Sequence, residues 1–281
     1  MNEWALLIFT VCMQAAIGGM LVLSLFYRKL SKSGAERTFA MMRTSLLAIV
    51  GLSIIGLAAS FAHLGAPSNA FNTIRHLGSS WMSREILATG LFIGAACVTT
   101  GLAFVQKNVN PWLLLVSSLI GLVDIYCMAA IYANTLVSGW HSINTFTSFY
   151  GTAFVLGPVL AASFNAPLLR NKQSEAEANG LVKYAFYMAI FGIAVQIVGV
   201  ALFSSAMPEV NMISGTNAMT GLEAYQGTVA LRWIIEVIGV GVLGYLSMAN
   251  RKVSLSFAYV ALAALVFAEG MSRYVFYVLG S

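Results

Sequence analysis

The sequence predicts an all-α membrane protein, a bundle of eight transmembrane helices with both termini on the periplasmic side. Three observations carry that prediction. Charged residues make up only 9% of the 281 residues, apolar residues make up 59%, and the mean hydropathy is +0.83. A typical soluble domain carries about 25% charge, and a water-soluble fold this poor in charge could not cover its own surface. Apolar residues also fall into eight runs long enough to cross a bilayer core about 30 Å thick, which takes roughly 20 residues at 1.5 Å each. Finally, Lys and Arg are divided unequally between alternate connections.

The first run, Trp4–Tyr27, is too long for the core of a signal peptide, and its basic residues Arg28 and Lys29 follow it instead of preceding it. It reads as the first span. Ala40–Ala62 is the second, followed by Ser83–Val105 and Pro111–Asn134. The fifth, Phe146–Leu169, contains Gly157 and Pro158. Leu181–Phe203, Gln226–Met248 and Val253–Leu279 complete the set. No stretch between them is long enough to hide a ninth span, and neither an internal repeat nor a low-complexity segment is present. Residues 1–281 therefore read as a single integral membrane domain.

Eleven of the 15 Lys and Arg residues fall in the first, third, fifth and seventh connections. The even connections carry only Arg75 and Arg84, and Arg232 and Arg273 lie within spans. Because basic loops stay in the cytoplasm, this pattern puts both termini outside, which in a bacterium means a multi-pass protein of the inner (cytoplasmic) membrane. The outer connections, about residues 63–82, 135–145 and 204–225, are too short to fold as catalytic domains. Chemistry is therefore expected within the bilayer or at its outer face.

Several function classes are excluded. The net charge of +5 comes from basic residues in short connections, not from one patch, so a nucleic-acid partner is not expected. Cys12, Cys97 and Cys127 lie inside apolar runs without a CxxC or Cys/His spacing. That argues against an iron–sulfur cluster or a metal site in this protein. A bis-His haem needs paired histidines within spans, and only His63 is even marginally placed.

An ionisable group inside a span costs about 2.5–3.5 kcal/mol on insertion scales, so each such residue is a candidate site. The candidates are His63, Glu85, Asp124, Arg232, Glu236, Glu269 and Arg273. Helix rise puts Glu85 about 3 Å below the outer boundary and Arg232 roughly 9 Å below it. His63 ends span two at that boundary, and Glu269 and Arg273 approach it along span eight. Nearly all the intramembrane charge thus falls in the outer half of the bilayer.

The pairs Arg232/Glu236 and Glu269/Arg273 are spaced to share a helical face. Each can be read as a neutralised pair that holds helices together. Tyr277 continues the Glu269/Arg273 face to the interface, which favours a functional role there. Asp124 has no obvious partner. Trp81, Tyr126, Tyr132, Trp140 and Tyr150 read as aromatic-belt residues, and His76 and His141 as ordinary loop residues.

Such a layer suits quinol oxidation. That reaction needs an apolar slot for an isoprenoid tail, hydrogen-bonding groups at the headgroup, and bases that titrate near the operating pH. A histidine or a buried carboxylate meets the last need. Nothing in the sequence receives the electrons, so an external acceptor must lie close by.

The stretch His63-Leu64-Gly65-Ala66-Pro67-Ser68-Asn69-Ala70-Phe71-Asn72, with Ser83-Arg84-Glu85-Ile86 downstream, resembles the membrane anchor subunit of bacterial dimethyl sulfoxide reductases, the DmsC-like family. The resemblance continues through Tyr132, Trp140 and Gly157-Pro158 to Glu269-Gly270, Arg273, Phe276 and Tyr277, and so covers essentially the whole sequence. It implies a haem-free anchor that binds and oxidises menaquinol near the periplasmic face. It further implies two periplasmic partners, an iron–sulfur electron-transfer subunit and a molybdopterin catalytic subunit. His63 and Glu85 match the positions tied to quinol in that family, and Glu269, Arg273 and Tyr277 match its final motif. One departure is Asn69, where the family pattern leads one to expect a basic residue.

Two other readings stay open. A purely structural anchor would use its polar residues only to pair helices. A secondary transporter would show inverted repeats and broken helices near the midplane; Pro158 could break span five, but no matching interruption occurs in the opposite half.

Overall fold

A computed structural model describes residues 4–63, 74–137, 139–165, 175–214, 222–248 and 255–279. All regular structure among them is helical, in eight long helices: α1 (Trp4–Leu30), α2 (Ala35–His63), α3 (Trp81–Gln106), α4 (Pro111–Ala133), α5 (Ile143–Asn165), α6 (Glu175–Ser214), α7 (Gln226–Met248) and α8 (Leu255–Val278). Short 3-10 turns lie at Ser31–Ser33 and Ile74–His76. Each long helix is long and apolar enough to cross a membrane, which bears out the eight expected spans.

Hydropathy marks only the part of a helix that lies in hydrocarbon, so the ends differ from expectation. Helix α6 is the extreme case. It begins at Glu175 and runs to Ser214, well past the Leu181–Phe203 run, since a helix need not end where its apolar stretch does. Local chemistry sets the start of α3 and α4. Ser80 accepts a hydrogen bond from the Ser83 N–H. Asn110 accepts from the Trp112 N–H at 2.9 Å, and Pro111 occupies the first turn, where its missing N–H costs nothing.

Helices α1 and α5 form the centre of the bundle. In their most apolar stretches 72% of residues are buried, against 22% in α6. They cross where Gly18 faces Gly157 and Ala153. A Cβ at either glycine would collide with the backbone of the opposing helix, so only glycine permits this approach. Close contact of small residues is how helices associate in lipid, where burying apolar surface gives little net gain.

Polar side chains reinforce the packing. Asn165 donates to Ser45 at 2.7 Å, joining α5 to α2. Ser163 donates to the Ala258 carbonyl at 3.0 Å, joining α5 to α8, and Thr99 and Ser117 meet at 3.0 Å between α3 and α4. The outer faces instead present Leu91 and Val98 of α3, Leu119 and Val123 of α4, and Ile234 and Val237 of α7, each about half exposed. Apolar faces of this extent are intolerable in water and suit a bilayer.

Candidate functional site

The site lies at the end of the bundle where α1 and α3 begin and α2 and α4 end. A cavity of about 270 Å³ opens between these four helices. Most of its wall is apolar, including Phe9, Leu57 and Ile131, and the half-exposed Phe61 and Met82 are at its rim. The polar atoms facing it belong to Thr10, Ser60, Glu85, Thr89 and Tyr132.

Glu85 stands one turn inside α3, beyond the Ser80 cap. It is buried, and its carboxyl has no hydrogen-bond or ion-pair partner among the described residues. A buried carboxyl left in this state demands an explanation, and the cavity in front of it is the natural one. Thr89, one turn further along the same face, donates to Asp124 Oδ1 at 2.9 Å. A second buried carboxyl therefore sits one hydrogen bond behind the cavity wall, and its Oδ2 has no partner among the described residues. Asp124, for which the sequence offered none, thus finds its partner on α3.

Tyr132 links this cavity to the other half of the bundle. Its hydroxyl lies 3.3 Å from that of Tyr277, which in turn lies 3.3 Å from Thr10 Oγ1. One turn below Tyr277, the Arg273 guanidinium donates to Gln14 at 2.8 Å and to Thr152 at 3.3 Å, and it lies 3.7 Å above the Phe149 ring. Thr152 donates to Glu269 Oε2 at 2.8 Å, while Gln196 donates to Glu269 Oε1 at 2.6 Å. Arg232 donates to Gln196 and pairs with Glu236 at 3.1 Å. This buried series of contacts ends at a second, smaller cavity of about 140 Å³, lined by Gln196, Arg232 and Trp233.

The expected Arg232/Glu236 pair is therefore present, but Glu269 and Arg273 do not meet directly. The Thr152 hydroxyl of α5 stands between them, accepting from one and donating to the other. Two arginines and two glutamates share this network, so its formal charges balance, as burial in a low-dielectric medium requires.

The belt assignment also changes for three aromatics. Tyr132 packs against Trp140 at 5.0 Å, Phe276 at 5.3 Å and Tyr277 at 5.6 Å, and Trp140 Nε1 donates to the Phe276 carbonyl at 2.6 Å. These rings form a cap over the network. Tyr150 donates to the Leu122 carbonyl at 2.8 Å and so ties α5 to α4, whereas Tyr126 is half exposed and keeps a belt position.

Of the five residues that the family resemblance singles out, Glu85 lines the cavity, Tyr277 touches it through Tyr132, and Arg273 and Glu269 lie deeper in the same network. His63 ends α2, three residues after Ser60 of the cavity wall. The His63 side chain, the motif residues 64–72 and the Asn69 departure lie outside the described residues. Sequence reasoning missed Thr10, Gln14, Thr89, Thr152 and Gln196. Among the described residues no three His, Cys, Asp or Glu side chains converge as a metal site.

Fold and site together define a multi-pass helical membrane protein with its buried ionisable side chains gathered toward one end. The sequence profile of the family described as DMSO reductase anchor subunit (DmsC) matches residues 1–279, and the protein belongs to that family. It is 30% identical over 280 residues to a component of the anaerobic dimethyl sulfoxide reductase of Haemophilus influenzae, an alignment that covers 98% of this sequence and 94% of its relative. Similarity to the corresponding component of the anaerobic dimethyl sulfoxide reductase of Escherichia coli is 35% over 166 residues, 57% of this sequence and 56% of that relative. A more distant relative is a component of the sulfite dehydrogenase of Allochromatium vinosum, 29% identical over 137 residues, covering 43% of this sequence and 42% of the other.

Proposed function

We propose that this protein is the menaquinol-oxidising membrane anchor of a dimethyl sulfoxide reductase-type complex in the bacterial inner membrane. The observation that carries the reading is Glu85, a buried carboxyl without a partner among the described residues, facing an apolar cavity that opens among lipid-exposed side chains. A quinol headgroup with its isoprenoid tail has the shape and polarity for that space.

In this mechanism His63 hydrogen-bonds one quinol oxygen and accepts or orients its proton. Glu85 accepts the other proton, and Thr89 passes its influence to Asp124 behind the wall. Tyr277 positions Tyr132 at the cavity, while Arg273 and Glu269 hold Tyr277 and its helix in register. Oxidation converts the quinol to quinone, releasing two protons and two electrons. The electrons pass to a docked iron–sulfur subunit on the periplasmic face and onward to a molybdopterin catalytic subunit. Protons leaving on that same face make the step electroneutral. Support for this topology comes from the Lys and Arg distribution and from family membership.

The test is quinol-dependent reduction in assembled complexes carrying Glu85→Gln or His63→Ala. Normal assembly with loss of quinol oxidation is expected. Unchanged rates in both variants would remove these residues from the mechanism and favour a purely structural anchor.

A further inference from the structure

At the opposite end of the bundle, the last turns of α1 and the first turns of α6 enclose a groove of about 620 Å³. Four cationic side chains face it, Arg28, Lys29 and Lys32 from the α1 side and Lys183 from α6. Its floor is aromatic, with the Phe26 and Tyr184 rings 5.6 Å apart. Leu25 and Tyr187 flank it and are 52% and 57% exposed, continuing the groove onto the apolar outer surface.

Two features make this more than loose topology charge. Lys29 is seated: its Nζ lies 5.3 Å from the Phe26 ring centre and against Gly180, where a Cβ would come within 2.8 Å of it. The four cations also lack counter-ions, since none has a carboxylate at ion-pair distance among the described residues. A nearby acid, Glu177, accepts a 2.6 Å hydrogen bond from Ser33 and interacts with Arg37. In sequence, the connection preceding α6 adds Arg170 and Lys172, and residues 166–174 include no acid.

These residues sit where the apolar runs of α1 and α6 give way to polar ends, the level of lipid headgroups. Basic pockets between helices at that depth recognise anionic lipid headgroups. We infer that this groove binds an anionic phospholipid. Its phosphodiester is held among Lys29, Lys183 and the flanking Arg28 and Lys32, and an acyl tail lies along Leu25 and Tyr187. Free phosphate would use the same cations but gain nothing from the apolar flank. This site is independent of the quinol reading, being at the other end of the molecule.

The experiment is native mass spectrometry of the full-length protein, released from detergent and titrated with phosphatidylglycerol, phosphatidylcholine or glycerol phosphate. One phosphatidylglycerol should stay bound under conditions that strip phosphatidylcholine, and millimolar glycerol phosphate should not displace it. Lys29→Gln/Lys183→Gln should weaken retention about thirtyfold, each cation being worth roughly fivefold. Arg43→Gln, an exposed charge outside the groove, should leave it unchanged. Equal retention of both lipids by the wild-type protein would overturn the assignment, as would displacement by glycerol phosphate or an equal loss with Arg43→Gln.

Discussion

Thr89 of α3 donates its hydroxyl proton to Asp124 of α4 at 2.9 Å, and this bond connects the wall of a lipid-facing cavity to a carboxyl buried behind it. Because Thr89 and Glu85 share one helical face, the two carboxyls belong to one local arrangement. Removing the hydroxyl with Thr89→Val leaves Asp124 without any partner among the described residues, at a cost of about 1–3 kcal/mol. A lower unfolding midpoint in detergent is expected for Thr89→Val. The double variant with Asp124→Asn should show a coupling of about 0.5–3 kcal/mol instead of simple additivity.

Tyr132 and Tyr277 form the link between the cavity and the deeper network. Tyr132→Phe and Tyr277→Phe each remove that link while keeping the rings of the aromatic cap. Both should assemble normally and slow quinol oxidation by about tenfold, the value of one hydrogen bond of roughly 1.4 kcal/mol. Since Tyr277→Phe already breaks the link that Tyr132→Phe removes, and with it the bond to Thr10, the double variant should be no slower than Tyr277→Phe alone. Steady-state turnover with a water-soluble quinol analogue reads this directly.

The Arg232–Glu236 pair is buried and its partners are 3.1 Å apart. Breaking it from one side strands a charge, so Glu236→Leu alone should destabilise the protein by about 3–5 kcal/mol. Arg232→Met/Glu236→Leu removes both charges and should recover much of that loss. Thermal unfolding of the wild-type protein and the two variants in one detergent separates the cases; a double variant worse than the single would show that Arg232 is needed for the bond to Gln196.

Gly157 packs against the backbone at Gly18, and no side-chain motion can make room for a Cβ there. Gly157→Ala should cost at least about 1–3 kcal/mol through forced separation of α1 and α5. Gly101, with open space around its Cα, serves as the control: Gly101→Ala should be neutral. Recovery of monodisperse protein on size exclusion distinguishes them.

The spans were legible in the sequence because crossing a bilayer demands a fixed length of apolar residues, and no other stretch meets that demand. Glu85, Glu269 and Arg273 were legible because ionisable groups are costly in lipid. Thr10, Gln14, Thr89, Thr152 and Gln196 were not. A threonine in a membrane helix most simply bonds the carbonyl one turn back, as Thr99 does to Ala95, so its presence does not reveal a partner on another helix. Spacing also misled at Glu269 and Arg273. Four residues' separation puts them on one face of α8, but it carries no information about the Thr152 hydroxyl that α5 inserts between them. Tyr132 and Trp140 read as belt residues because belt and cap lie at the same depth, and only tertiary packing tells them apart.

In the proposed mechanism Glu85 takes a proton from quinol in the cavity between α1, α2, α3 and α4. The most direct measurement is the rate of quinol-dependent reduction by assembled complexes carrying Glu85→Gln, which preserves shape and removes the basic oxygen. A positioned acid or base contributes roughly a hundredfold or more, so the rate should fall by about that factor, with normal assembly and quinone-analogue binding retained. Full turnover by correctly assembled Glu85→Gln complexes would contradict the assignment.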